Sequence, residues 1–316
     1  MPLRFTLRQL EYFVAAGEAG SIALAAEKVN VTAPSMSSAI SQLEAGFGLQ
    51  LFTRRHAQGS TLTPAGERFM EQARAVLAEA EQLNDLANIM TNAVRGSLRV
   101  GAMRTFVQLM VPSLRRSFEN KYPHVDFTQV ELDQAQIFNE LGSSRIDIAL
   151  TYDLSVPGDI RFEPLAILAP YVMLAADHPL TQRSFLTPED LLDEPMVLLD
   201  LPHSSDYFLS FFRHLNRRPP VAERTSEINI QRALITNGYG FGITNIRTVS
   251  GISLDGRELK FVPLHSNIQP LKLGIVLSRT AHISRTIRAF IDHCHEAVDA
   301  KKLPGIMPDK LEESKN

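Results

Sequence analysis

One helix divides this 316-residue chain and limits what can lie on either side of it. From Pro64 to about Asn92, Phe69, Ala73, Val76, Ala80, Leu83, Ala87 and Met90 recur at alternating steps of four and three, an unbroken heptad seam. The alanines let a second such helix approach closely. A helix lying on its own domain's core usually shows a broader apolar stripe, so the seam points to a partner helix. Arg95-Gly96 ends the pattern. The chain must therefore place one small domain before the helix and a larger one after it.

The first 66 residues read as three short helices and a hairpin. Thr6 caps the first helix, where Leu7, Leu10, Phe13 and Val14 recur at helical spacing; Gly17 and Gly20 end it. Ser21 caps "IALAAEKVN", with Leu24, Ala25 and Val29 expected to face inward. Thr32 caps a third helix, and Pro34 falls in its first turn, where a missing N–H costs nothing. The short gap between helices two and three is that of a helix-turn-helix. Leu49–Thr53 and Ser60–Thr63 flank a polar tip containing Gly59, a β-hairpin wing.

The third helix carries the functional signal. At 100° per residue, Met36, Ile40, Leu43 and Phe47 form a core stripe, and Pro34, Ser38, Ser41, Gln42 and Ala45 lie opposite, with Ser35 and Ser37 on the flanks. Serine is a mediocre helix former, so a hydroxylated, uncharged outer face gains no stability from its composition. Small hydroxyls do suit a helix lying deep in a DNA major groove, against phosphates, base edges and thymine methyls. Taken alone, the face also reads as a serine-rich solvated surface. Charge gives little help: Met1–Gly66 holds five Lys or Arg and four Asp or Glu, a net +1, and the whole chain is −3. A DNA binder so weakly charged needs a few placed cations and several copies of the domain.

The run "LRQLEYFVAAGEAGSIALAAEKVNVTAPSMSSAISQLEAGFGLQLFTRR", followed by "LTPAGERF", resembles the winged helix-turn-helix of LysR-type transcriptional regulators. The resemblance covers about residues 3–300. It implies an α+β multidomain fold: a winged helix-turn-helix over 1–66, a linker dimerisation helix over 67–92, and an effector-binding domain over 93–300 of two α/β lobes, like periplasmic binding proteins. The lobes would be about 96–163 plus 271–300, and 164–270, with crossings near Glu163 and Gln269–Pro270; a polar tail fills 301–316. It further implies a homodimer, often paired into a tetramer, on an interrupted palindrome of double-stranded DNA. The DNA-contacting residues would be Ser21, Thr32, Ala33, Pro34, Ser35, Ser37, Ser38, Ser41 and Gln42, with Arg54, Arg55 and His56 of the wing. Arg54 matches the family's "LF-x-R" arginine. Arg55 and His56 also read as solvated loop charges. Ala33 stands where the family often has glutamine, and Ser38 and Ser41 where it often has Arg or Lys, so readout here leans on hydroxyls and shape.

Beyond Gly96, strands are expected at "SLRVGA", "VDFTQVEL", "IDIALTY", "LAPYVMLAA", "MVLLD", "FGITN", "LKFVPL" and "LKLGIVLS". Helices are expected at "FVQLMVPSLRRSFENKY", "AQIFNELGSS", "TPEDLLD", "SSDYFLSFFRHLN", "NIQRALITNG" and "SRTIRAFIDHCHEAVDA". The implied ligand site lies where strand ends turn into helix N-termini. Its candidate residues are Met103, Arg104, Thr105, Tyr152, His203, Ser204, Ser205, Ile228, Asn229 and Asn245. Arg104 is the cation at these turns; facing the cleft it selects an anion such as a carboxylate, and otherwise it is a surface arginine. "NGYGFGITN" is no dinucleotide fingerprint, because its glycines lead from a helix into a strand; Gly238 reads as a helix C-cap.

Catalytic and metal chemistry find little purchase. No H-E-x-x-H, G-x-S-x-G or Walker sequence occurs, and no cofactor is implied. His293 and His295 fall on different faces of a helix, and the pairs Asp147/Asp153 and Glu189/Asp190 read as structural. The single cysteine, Cys294, excludes an intramolecular disulfide and fits a reducing cytoplasm. "MPLRFTLRQLEYF" lacks a signal peptide's apolar region, and no apolar run approaches the roughly 18 residues of a membrane span. The expected protein is a cytoplasmic, non-enzymatic regulator. A small organic anion in its cleft shifts the lobes or the tetramer, and with them contact with RNA polymerase. The alternative is a ligand-independent architectural or repressor DNA-binding protein.

Overall fold

The computed structural model describes residues 4–54, 60–91, 93–248 and 250–299, without the side chains of residues 54, 84, 85, 87 and 89. The chain forms two compact units, one of Met1–Ala93 with the short segment Gly142–Arg145, the other of Val94–Leu141 and Ile146–Asn316. The 301–316 tail lies outside the described residues.

In the first unit, α1 (Leu7–Ala19) starts at a Thr6–Gln9 capping box and stops at Gly20, whose φ of 63° only glycine adopts readily. It is followed by α2 (Ile22–Lys28), capped by Ser21, and α3 (Ala33–Phe47), capped by Thr32 and closed by Gly48. Leu10, Phe13, Ala16, Ala25, Met36, Ile40 and Leu43 form one core with Leu51, Phe52, Met70 and Ala73. Two inward expectations on α2 fail: Leu24 is 60% exposed and Val29 38%. A two-turn helix held against both α1 and α3 presents its alanines, Ala25 and Ala26, to the close contact and turns its larger residues out.

The wing is β1 (Phe52–Arg54) against β2 (Ser60–Leu62), antiparallel, with Phe52 opposite Leu62. Glu44 of α3 fixes its base: Oε1 accepts from the backbone N–H groups of Leu51 (2.8 Å) and Phe52 (3.1 Å). Both residues are buried, so Glu44→Ala would leave two donors without an acceptor. A loss of about 2–4 kcal/mol is expected, read as an earlier urea transition; an unchanged midpoint would refute the role given to Glu44.

The long helix α4 (Pro64–Thr91) has 28 residues and is about 42 Å long. Its first turns belong to the core through Phe69, Met70 and Ala73, and Arg74 pairs with Glu18 at 3.1 Å. Beyond that the apolar row emerges: Val76, Leu83 and Met90 are 40%, 73% and 80% exposed.

The second unit runs β3 (Gly96–Met103), α5 (Arg104–Leu109), α6 (Val111–Lys121), β4 (Val125–Leu132), α7 (Gln134–Gly142), β5 (Ile148–Tyr152) and β6 (Ile160–Leu168). It then crosses to β7 (Tyr171–Ala175), β8 (Met196–Leu199), α8 (Ser204–Ser210), β9 (Val221–Thr225), α9 (Ile228–Thr236), β10 (Gly242–Thr244) and β11 (Leu259–Pro263). It returns through β12 (Leu271–Ser278) and ends in α10 (Arg285–Asp299). Lobe one is a five-stranded sheet in the order β4-β3-β5-β12-β6; lobe two holds the sheets β10-β7-β11 and β8-β9. One large core runs through both lobes, from Leu98 to Cys294.

Several expectations change. The helix expected from Phe106 to Tyr122 is two helices, because Pro112 opens α6 and cannot extend the turn before it. "TPEDLLD" yields only a 3-10 turn, Pro188–Leu191, and "SSDYFLSFFRHLN" a two-turn helix followed by a 3-10 turn. Two strands, β6 and β9, had no expectation. Both are edge strands with mostly half-exposed or exposed positions, and β6 contains Pro164. Because β6 runs on to Leu168, the first crossing falls beyond Glu163, which sits mid-strand opposite Ile275.

Candidate functional sites: an outward helix and an interlobe cavity

In α3 the core stripe and the outer face separate as spacing requires. Met36, Ile40 and Leu43 are at most 2% exposed, and Phe47 sits at the stripe's edge, its ring tilted against Phe5 and edge-on to Phe69. Pro34, Ser35, Ser38, Gln42 and Ala45 are exposed; Ala33, Ser37 and Ser41 are half-buried. The hydroxyls of Ser21 and Thr32 are engaged as caps, accepting from Leu24 and Ser35 N–H groups at 3.4 Å each. Gln42 accepts from Gln9 of α1 at 3.2 Å. For Arg54 only the backbone, the last residue of β1, is described; Arg55 and His56 lie outside the described residues.

In the second unit the site follows from strand order. β3 pairs in parallel with β4 on one side and β5 on the other, so successive connections leave it in opposite directions. In lobe two, β8 likewise lies between β9 and, through a parallel bridge of Met196 to Phe241, β10. The carboxyl ends of such divergent strands leave a crevice. A cavity of about 310 Å³ lies there. Met103, Thr105 and Tyr152 line it from lobe one, and Leu199, Ser204, Ile228, Asn229, Thr244 and Asn245 from lobe two.

Seven of the ten candidate residues therefore line the wall; Arg104, His203 and Ser205 do not. Arg104 is exposed and pairs with Glu227, at the start of α9, at 3.1 Å. Gln108 of α5 accepts from Asn229 of α9 at 3.3 Å, so two polar contacts span the lobes beside the cavity. His203 has φ 65° ahead of α8, and Ser205 donates to the Leu201 carbonyl. The cation in the wall is Arg232, one helical turn beyond Ile228. One terminal guanidinium nitrogen donates to the carbonyls of Ser250 (3.1 Å) and Ile252 (3.3 Å). Burial holds Arg232 below its ordinary pKa.

Asn245 works chiefly as a brace. Its Nδ2 donates to the Leu168 carbonyl (2.9 Å) and to the Tyr207 hydroxyl (3.1 Å), and Tyr207 donates on to the Gln269 carbonyl (3.4 Å). One amide thus reaches the strand end at the first crossing and, through Tyr207, the second. Burial pushes the Tyr207 phenol up to about 12 and raises that of Tyr152 as well, so both are neutral at any ordinary pH.

The polar pairs weighed for catalysis have structural partners. Asp147 binds Arg99 at 2.7 Å, Asp153 accepts from the Lys272 N–H, and Asp190 from the Thr187 N–H. Glu189 faces His214 at 3.5 Å, His293 lies 2.7 Å from Ser117, and His295 lies 2.9 Å from Glu163. Cys294 is fully buried, which pushes its thiol up. Among the described residues no helix is long and apolar enough to cross a membrane.

Known proteins agree with both units. Residues 7–67 match the family profile described as "Bacterial regulatory helix-turn-helix protein, lysR family", and residues 91–299 the one described as "LysR substrate binding domain". The HTH-type transcriptional regulator YvbU of Bacillus subtilis, itself uncharacterized, is 29% identical over 79% of this chain and 84% of its own. The transcriptional activator LysR of Escherichia coli is 25% identical over 91% of each chain. Among solved structures, HinK of Pseudomonas aeruginosa shares 32% identity at a TM-score of 0.63, covering 93% of this chain and 99% of that one. Full-length OxyR of the same organism, 23% identical, shares the fold at a TM-score of 0.74 over 92% of this chain and 98% of its own. A helix-turn-helix head with its serine face outward, and a two-lobed body around a cavity, are thus joined in one chain that belongs to the LysR family of bacterial transcriptional regulators.

Proposed function

We propose that this chain is a cytoplasmic transcription factor that binds an interrupted palindrome as a homodimer, paired into a tetramer, and that a small organic anion between its lobes controls binding or activation. The observation that carries the reading is the coexistence, in one chain, of an uncovered third helix and a cavity at the divergent strand ends. Ser35, Ser38 and Gln42 meet the major groove, and Ala33, Pro34, Ser37 and Ser41 flank them. Ser21 and Thr32 offer capped helix starts to phosphates, and the wing supplies Arg54, Arg55 and His56. The exposed row Val76, Leu83 and Met90 of α4 pairs with its copy in a second chain. A fold relative, CbnR, has been solved in complex with its target DNA.

In the cavity, the ligand meets Met103, Thr105, Tyr152, Ser204, Ile228, Asn229 and Asn245. Ligand binding shifts the lobes only by as much as it favours one arrangement over the other. The contacts from Arg104 to Glu227 and from Gln108 to Asn229 are the ones that such a shift makes or breaks. Moving the lobes alters the spacing of the half-sites that the dimers reach, and through it contact with RNA polymerase. The experiment is selection of duplexes from a random pool by the full-length protein, followed by footprinting with and without small acids. The expected result is two half-sites about one or two helical turns apart, with a footprint that changes when an acid binds. A protein that ignores every duplex at low ionic strength would end this reading. A footprint indifferent to every compound that binds the cavity would leave a ligand-independent DNA binder.

A further inference from the structure

The cavity wall restricts the chemistry of its occupant. Among the described residues that line it, Arg232 carries the one formal charge, and no carboxylate, lysine or histidine joins it. Its two protein hydrogen bonds both leave from the same terminal nitrogen and end on backbone carbonyls. Its Nε is buried and makes no hydrogen bond. No acidic group lies within ion-pair distance of it among the described residues, in contrast with Arg104, which Glu227 already neutralises. A cation so placed, cut off from much of its water and lacking a counter-charge, is complementary to a single negative charge. A dianion would bring a second charge with no partner, and a neutral ligand would leave the guanidinium uncompensated.

A second atom constrains the rest of the molecule. The Asn245 amide cannot be turned over, because the Leu168 carbonyl accepts from it and only the NH2 end can donate. Its Oδ1 is therefore fixed as an acceptor, and it is buried with no donor. Leaving such an atom unmatched is costly, and a hydroxyl, amine or ring N–H on the ligand would satisfy it. Between these two points Leu109, Met173, Phe208 and Phe261 line the wall among uncharged polar side chains such as Thr105, Gln108 and Ser204. At about 310 Å³ the space is at the small end of ligand pockets, which span roughly 300–1,000 Å³.

We propose that the occupant is a small monocarboxylate with a compact apolar body and one hydrogen-bond donor, its carboxylate held by Arg232 rather than Arg104 and its donor by the Asn245 oxygen. The proposal rests on the reading of this cavity as the effector site and specifies its chemistry. Turning the guanidinium away from the Ser250 and Ile252 carbonyls brings Nε and a terminal nitrogen to bear on both carboxylate oxygens, the fork geometry that favours arginine over lysine. Ligand capture and the hold on that loop then draw on the same side chain.

The test is calorimetric titration of full-length protein with two matched probe sets. One comprises benzoate, the three hydroxybenzoates, phthalate, benzyl alcohol and benzylamine; the other comprises hexanoate, 6-hydroxyhexanoate, adipate, hexanol and hexylamine. Monocarboxylates are expected to bind, the best hydroxylated one tightest, with dicarboxylates, alcohols and amines at least about tenfold weaker. Arg232→Gln should weaken the monocarboxylates about 10- to 100-fold, Arg232→Lys should recover part of that, and Arg104→Gln, which removes only an exposed contact between the lobes, should change them by less than about fivefold. Melting curves of each variant establish that it is folded. Preference for a dianion or a neutral probe, or indifference to Arg232→Gln, overturns the charge assignment. If such a probe still alters the DNA footprint, the effector reading stands without it. If no probe of any charge binds, the assignment and the effector reading fall together.

Discussion

Ser38→Glu is expected to lower affinity for a selected operator by at least about 100-fold while leaving the melting temperature within about 2 °C. Ser38 is exposed at the middle of the outer face of α3 and makes no hydrogen bond among the described residues, so its replacement disturbs nothing seen to hold the head together. Glutamate is also a somewhat better helix former than serine. In the groove, however, the new carboxylate faces two phosphate backbones and loses its water. A like charge juxtaposed in an interface costs several kcal/mol, and a dimer incurs it twice. Ser38→Ala separates the hydroxyl from the shape: a loss under about tenfold is expected, because one neutral hydrogen bond is worth about 1 kcal/mol. Fluorescence anisotropy at one fixed salt concentration measures both, since affinities at different salt concentrations are not comparable. Undiminished binding by the glutamate variant would show that α3 does not enter the groove.

The same helix shows what the sequence can and cannot reveal. Its facing was legible because Met36, Ile40 and Leu43 are large, apolar and spaced for one side, so that period alone orients it. In α2 the period misled. Leu24 is larger than its neighbours but points outward, because the contact with α1 and α3 is close enough to demand alanine. Strands with buried faces, such as Val125–Leu132 and Leu271–Ser278, were visible to the residue. The edge strands were not, since half-exposed sequences such as "VAERT" carry no run of apolar residues to announce them. In the cavity, the turns at the strand ends could be located from sequence, and most of their residues do line it. The cation was sought at those turns, where Arg104 stands. The cation that lines the cavity, Arg232, lies one turn further along α9, at the i+4 position from Ile228, and so on the same helix face as a residue already singled out. The helical period could have carried the search from one to the other.

Gly240→Ala should cost about 4 kcal/mol and lower the melting temperature by roughly 8–16 °C. The glycines of "NGYGFGITN" divide the work between them. Gly238, φ 84°, closes α9 and a Cβ there meets nothing within 4 Å. Gly240 has φ 137°, and a Cβ on it would stand 2.0 Å from the Pro195 carbonyl oxygen and 2.6 Å from its carbon. Those atoms are backbone and cannot swing aside. They also belong to a joint: Phe241 N–H donates to the Pro195 carbonyl at 2.9 Å, and Val197 N–H to the Phe241 carbonyl at 2.7 Å. This pair of bonds ties β8 to β10, and fully buried Phe241 fills the space beneath. A methyl group therefore has to break the joint as well as strain φ, and the two costs add. Gly238→Ala incurs only the strain, about 1 kcal/mol. Because β10 carries Thr244 and Asn245 into the cavity wall, the Gly240 variant should also lose ligand binding at temperatures where it remains folded. Denaturant melts of the two full-length variants compare them directly. Equal destabilisation would mean that the approach to Pro195 is not tight in solution and that Gly240 is there for its backbone angle alone.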